Sequence, residues 1–233
     1  MIGIIGAMDE EVMEVKEMLS DCTVTVKAGM EFHKGTLHGQ DVVVVRSGIG
    51  KVNAGICAQI LADDFNVSAI INTGIAGSLN TDINIGDIVL SKDTLQHDME
   101  AVAFGYDYGI IPRMDTSVFE GDKRLISLAG QAIRTINPDI GVFEGRVVTG
   151  DQFISSHEKK EWLVNTFNGD CTEMEGAAIA QAAYLNNIPF IIIRAISDKA
   201  DNSASMDYPE FEALAIKNSV ALLNEMIKNW NNR

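Results

Sequence analysis

Cysteine is scarce in this sequence, with three in 233 residues, and Cys22, Cys57 and Cys171 are odd in number and show no metal-like spacing. That argues against a disulfide-stapled secreted scaffold and for reduced thiols in a reducing compartment. The four histidines add no HExxH, and no CxxC is present, so no catalytic metal is expected. Aromatic residues make up 6% of the chain against 46% hydrophobic residues, so a core of aliphatic side chains is expected and disorder is not. Cations are also few. Eighteen Lys and Arg against 33 Asp and Glu leave a net charge of −15, a field that repels phosphate backbones and acidic lipid surfaces. Neither nucleic acid nor a membrane is therefore expected as a partner. No apolar run approaches the length of a membrane span. The start, Met1-Ile-Gly-Ile-Ile-Gly with acids from Asp9, lacks the basic region and longer apolar stretch of a signal peptide, so the expected location is cytoplasmic.

Several short apolar runs read as buried strands: Ile2 to Ile5, Val42 to Val45, Ala69 to Ile71, Ile88 to Leu90, Val147 to Val148 and Phe190 to Ile193. Helical patterns lie between them at Asp9 to Leu19, Val52 to Phe65, Asp122 to Ile136, His157 to Phe167 and Glu175 to Leu185. This alternation predicts an α/β fold with a largely parallel sheet covered on both faces. Thr23 to Lys27 and Glu31 to Leu37 flank Gly29 as a hairpin. A final helix from about Pro209 presents Ile216, Val220, Leu223, Ile227 and Trp230 as a core-facing stripe. With no repeat, low-complexity tract or linker, residues 1–233 read as one domain. The stretch from His97 to Glu120 lacks periodicity and is the first candidate for a lid or an interface.

In open α/β sheets ligands bind beyond the carboxyl ends of the strands. The residues following the apolar runs supply carboxylates, glycines and apolar side chains, with few cations. No GxGxxG, P-loop or GxSxG motif is among them, so dinucleotide binding, NTP binding and serine hydrolysis are weakly supported. What stands out is a set of acids near element ends, Glu11, Glu175 and Asp198. Each alone reads most simply as a helix N-terminal acid or an N-cap.

Together with their neighbours they point further. The blocks Gly3-Ile-Ile-Gly-Ala-Met-Asp-Glu-Glu11-Val, Ser47-Gly-Ile-Gly-Lys-Val, Ile71-Asn-Thr-Gly, Ala103-Phe-Gly-Tyr, Gly150-Asp-Gln-Phe-Ile, Glu173-Met-Glu175-Gly-Ala-Ala-Ile-Ala and Arg194-Ala-Ile-Ser-Asp198 resemble the 5′-methylthioadenosine/S-adenosylhomocysteine nucleosidases, in the family's order and over nearly the whole chain. The resemblance implies a nucleoside phosphorylase-like fold, a twisted mixed β-sheet surrounded by α-helices, and a homodimer without a cofactor. It implies that Glu11 is the general base for water, that Asp198 donates a proton to adenine N7 with Ser197 holding it, and that Arg194 helps hold the water. By the same resemblance Glu175 binds the ribose hydroxyls, Met174 packs on sugar and base, Phe153 stacks on adenine and the Ile154 backbone reads its edge. Met8, Ile49, Tyr208 and Phe211 are implied around the 5′ thio-substituent, joined by Phe104 and Pro112 from the other subunit. Ile75 stands where the family often has serine.

The chemistry of the residues agrees with this resemblance. A purine leaving ribose passes through an oxocarbenium-like state, which calls for a proton on the base and carboxylates near the sugar. A phosphorylase of the same fold would need cations or backbone nests for phosphate, whereas the first loop carries Asp9, Glu10 and Glu11. A hydrolase of another nucleoside, such as futalosine, differs chiefly in the 5′ pocket. A non-catalytic nucleoside-binding module would have no need of both an acid and a base.

Overall fold

The computed structural model describes residues 1–231, the side chains of Ser205 and Met206 excepted. Strand β1 (Ile2–Gly6) is buried at every position and pairs in parallel with β4 (Gln40–Arg46) and β5 (Ala69–Ser78). Such unbroken apolar runs need cover on both faces, and helices supply it. The expected hairpin is present as β2 (Ser20–Lys27) and β3 (Met30–Leu37), antiparallel to each other and continuing to β4. The remaining strands are β6 (Ile88–Gln96), β7 (Phe119–Glu120), β8 (Val142–Thr149), β9 (Cys171–Glu173) and β10 (Phe190–Asp198). Their order is β10-β6-β8-β9-β5-β1-β4-β3-β2, and β10 also pairs with β5. That extra pairing closes β5, β10, β6, β8 and β9 on themselves as a small barrel, from which β1, β4, β3 and β2 extend.

The helices are α1 (Asp9–Glu17), α2 (Lys51–Phe65), α3 (Lys123–Ile136), α4 (His157–Phe167), α5 (Gly176–Leu185) and α6 (Ala204–Lys228). Asp122 caps α3 by accepting from the Leu125 N–H at 3.0 Å, and Ser156 caps α4 through the Lys159 N–H at 3.2 Å. Helices α2 and α5 pack together, while α6 lies on β10, α3 and α1. The stripe on α6 is buried at Ile216, Val220, Leu223 and Ile227, with Trp230 packed at its edge.

Two departures from the sequence reading matter for function. The runs ending at Ile71 and Ile193 continue as strand, so Asn72 to Ser78 and Arg194 to Asp198 lie within β5 and β10 and not in loops after them. Most of the polar side chains there find partners, as where Arg194 Nη2 donates to Asn72 Oδ1 at 2.6 Å, while Thr73 Oγ1 and Arg194 Nε have none among the described residues. Helix α6 begins at Ala204, before Pro209, which falls in its second turn and leaves one bond of the ladder unmade. The stretch after β6 contains one 3₁₀ turn, Val102–Phe104, and leaves Phe104 84% exposed.

Candidate active site

A cavity of about 530 Å³ opens where β1, β5, β9 and β10 end. Its wall brings together Met8, Glu11, Ile49, Phe153, Ile154, Met174, Glu175, Ser197, Asp198 and Tyr208, residues up to 200 positions apart in the chain. No helix of the described residues is long and apolar enough to cross a membrane, and no described cluster of His, Cys, Asp and Glu could hold a metal ion.

Glu11 occupies the first turn of α1 and does there what a helix N-terminal acid does, accepting from the Ala7 N–H at 2.6 Å and the Met8 N–H at 3.0 Å through Oε2. Its other oxygen accepts from the Ile75 N–H at 3.2 Å, across the site from its own helix. Burial pushes its carboxyl above the ordinary range, opposed by Arg194 and these three amides. The glycine at 74 is required by this approach: a Cβ there would stand 2.6 Å from Glu11 Oε1. Ile75 contributes its amide to Glu11 and its side chain to the cavity wall. Ser78 offers no substitute hydroxyl, since its Oγ donates to the Asn80 and Ile83 carbonyls at 2.7 and 3.2 Å.

Behind the wall, Arg194 is fully buried and ion-paired with Glu173. Its Nη2 lies 3.9 Å from Glu175 Oε2. Burial alone would favour loss of its proton, and Glu173, Glu175 and Glu11 together more than reverse that. Glu175 is the N-cap residue of α5, yet its side chain makes no cap bond. Glu173 does that work, accepting from the Glu175 and Gly176 amides at 3.1 and 2.7 Å, and the Thr149 hydroxyl accepts from the Ala177 N–H at 2.8 Å. Glu175 is thereby free to face the cavity, where it accepts from the Gly50 N–H at 2.9 Å. Burial and the neighbouring Glu173 carboxylate, against Arg194, lift its carboxyl to about 7.

Asp198 ends β10 after a register shift that sets it opposite Gly77 with Ser197 unpaired before it. One oxygen accepts from the Ala200 N–H at 2.8 Å and the other from the Ser197 hydroxyl at 2.9 Å. Burial raises its carboxyl, with Asp207 and Asp201 adding to the shift against those two donors. At the mouth, Phe153 and Tyr208 meet edge to face with centroids 5.9 Å apart, and the Tyr208 hydroxyl sits 3.5 Å from Met8 Sδ and 3.0 Å from Glu212 Oε1.

Phe211, half-buried one turn beyond Tyr208, is outside the cavity wall, as are Phe104 and Pro112. Arg194 acts from behind it. Sequence reasoning assigned nothing to Glu173, Asn72 or Thr149, although they hold Arg194 behind the wall and cap α5 in place of Glu175. Glu173 was visible only as the first acid of a Glu-Met-Glu triplet in a strand too short to show periodicity.

The family model described as the phosphorylase superfamily matches residues 1–228, and fold and cavity together make this a member of that superfamily. A 5′-methylthioadenosine/S-adenosylhomocysteine nucleosidase of Psychromonas ingrahamii is 41% identical over 231 residues, 99% of each chain. The chain belongs, within the superfamily, to the family of these nucleosidases. Among solved structures, the Neisseria meningitidis nucleosidase in complex with methylthio-immucillin-A matches with a TM-score of 0.93 at 36% identity, covering 98% of both chains. Futalosine hydrolase of Helicobacter pylori matches with a TM-score of 0.92 at 34% identity, covering 98% of this chain and 97% of that one.

Proposed function

We propose that the protein hydrolyses the N-glycosidic bond of 5′-methylthioadenosine and S-adenosylhomocysteine, releasing adenine and the 5′-thioribose product. Asp198 gives its proton to adenine N7 as the C1′–N9 electron pair leaves with the base. Water adds to C1′ and surrenders a proton to Glu11. Glu175 accepts hydrogen bonds from the ribose hydroxyls, Phe153 stacks on the base and the Ile154 backbone reads its edge. Met174 packs on the sugar, Ser197 steadies Asp198, and Arg194 helps hold the water. Met8, Ile49 and Tyr208 surround the 5′ substituent, with Phe211 one turn of α6 beyond Tyr208.

The observation that carries this reading is a cavity whose wall holds Glu11, Glu173, Glu175 and Asp198 and, among the described residues, no lysine, arginine or histidine. Such a wall favours a developing sugar cation and disfavours a phosphate dianion, so water is the nucleophile. An acid held by one hydroxyl and one amide and a base held by three amides supply the two proton-transfer roles. The match over residues 1–228 supports one catalytic domain spanning residues 1–233.

The active form in this reading is a cytoplasmic homodimer. Phe104 at 84%, Val102 at 43% and Tyr108 at 40% exposure leave an apolar patch on the 97–112 stretch, and Ile49 and Phe153 leave another at the mouth. A second copy brings these together, with Phe104 and Pro112 closing the neighbour's 5′ pocket. Incubation with 5′-methylthioadenosine, with and without phosphate, tests the reaction. Adenine should appear at the same rate in both, beside free thioribose and no sugar phosphate; binding without adenine release would make the protein a nucleoside-binding module.

A further inference from the structure

The purine side and the sugar side of the cavity are joined by contacts that lie outside it. Helix α2 begins after Gly50, whose φ of 95° suits glycine and which has no side chain to cap the first turn. The missing acceptors come from two other elements. Glu175 Oε1 takes the Gly50 N–H at 2.9 Å, and Asp151 Oδ1 takes the Lys51 N–H at 2.8 Å. The Asp151 N–H in turn donates to Asp98 Oδ2 at 2.9 Å, while Asp98 Oδ1 accepts from the Lys51 ammonium at 2.6 Å. That ammonium is steadied by Gln96 Oε1 at 3.0 Å. Despite the cost of partial burial, the hydrogen bonds from Lys51 and from the Asp151 N–H hold the Asp98 carboxyl below its ordinary range. The loops also touch directly, since a Cβ on Gly50 would stand 3.1 Å from Asp151 Oδ1.

Asp151 immediately precedes Gln152, Phe153 and Ile154, which line the cavity. We propose that Asp151, braced by Lys51 and Asp98, is a positioning residue that couples the purine-binding loop 151–154 to the sugar carboxylate Glu175 through the first turn of α2. The inference rests on the nucleosidase reading of the cavity. Asp151 touches no reacting atom; it fixes where the base is held relative to the ribose hydroxyls, and small misplacements of that kind are costly in rate. A role confined to capping α2 would lower stability and leave the discrimination between sugars unchanged.

The test compares Asp151→Ala and Asp151→Asn in the full chain, measuring kcat/KM on 5′-methylthioadenosine and on its 2′-deoxy analogue. With Ala, kcat/KM on the ribose substrate should fall by about 10- to 100-fold. The deoxy substrate, which makes less use of Glu175, should lose less, so the preference for ribose narrows. Asn can still accept from the Lys51 N–H and should recover activity to within about threefold of the wild type. Amide exchange over residues 50–54 and 151–154 should quicken together in the Ala variant. An unchanged ribose-to-deoxy ratio, or faster exchange confined to 151–154, would overturn the coupling whatever the melting temperature does. If the wild type releases no adenine, the nucleosidase reading falls, and the exchange pattern alone then decides whether the brace exists.

Discussion

Asp198 and Glu11 are both carboxylic acids raised by burial, yet their partners suit them to opposite tasks. Asp198 has one hydroxyl and one amide and keeps negative neighbours in Asp201 and Asp207, which add to burial in raising its carboxyl and favour the proton-bearing form that a proton donor to a base nitrogen needs. Glu11 has three amides and Arg194 favouring its charged form. Asp198→Asn can offer a hydrogen bond but no proton, and Glu11→Gln cannot accept one. Each should lower kcat by roughly 10²- to 10⁴-fold, with Glu11→Gln still binding a substrate analogue in calorimetry. A folded variant with wild-type kcat would remove the role assigned to that residue. Glu175 carries a second prediction. A carboxyl raised from 4.5 to about 7 on folding stabilises the fold while protonated, and that contribution fades as pH rises through about 7. Burial lowers the His97 imidazole to about 4, which opposes this over the same range, so the Glu175 contribution is the fall in stability from pH 5 to pH 8 that separates wild type from Glu175→Gln in a pH series of thermal melts. Glu175→Gln should flatten that dependence and stabilise the protein at about pH 8 by on the order of 1 to 3 kcal/mol, while damaging turnover. At this scale the acids were legible from sequence, because their flanking blocks were. Their partners were not: Asn72 and Thr149 come from β5 and β8, 122 and 24 residues from the groups they serve in Arg194 and Glu173.

Among the elements, helices and hairpin were read to within a few residues because amphipathic spacing and turn glycines are local signals. Strands β5 and β10 were read short, since an apolar run is a poor guide to a strand whose later residues are buried and polar. Strands β7 and β9, two and three residues long, carry no period to detect. The shift near the end of β10 also depends on its neighbour, as Gly77 gives the space into which Asp198 is turned. A Cβ at position 77 would stand 2.7 Å from Asp198 Oδ1 and 2.8 Å from the Ala200 Cβ. Gly77→Ala should therefore cost about 1 to 3 kcal/mol in a thermal or urea melt, and lower kcat far more than that loss alone would suggest. Normal turnover in this variant would mean that Asp198 is not placed by the strand pairing.

For the whole molecule, the decisive prediction is the second copy. Sedimentation should give twice the mass of one chain, and Phe104→Ala should weaken 5′-alkylthio nucleosides more than adenosine while leaving the chemistry of bound substrate intact. A monomer with full activity would contradict this arrangement. The composition foretold the aliphatic core, but one chain's sequence does not say which exposed aromatics would face a second copy. The placement of Asn72 to Ser78 and Arg194 to Asp198 inside strands has a further consequence for how such a protein can diversify. Asp198, the proposed proton donor, is woven into the barrel at the end of β10, where a one-residue slip reverses every side chain. The contacts implied for the 5′ substituent sit on the start of α6, on short loops and on a neighbouring subunit, all of which tolerate change. Drift in those parts can exchange one thioether or acyl tail for another without disturbing the cut, so descendants of this scaffold should differ in appetite long before they differ in reaction.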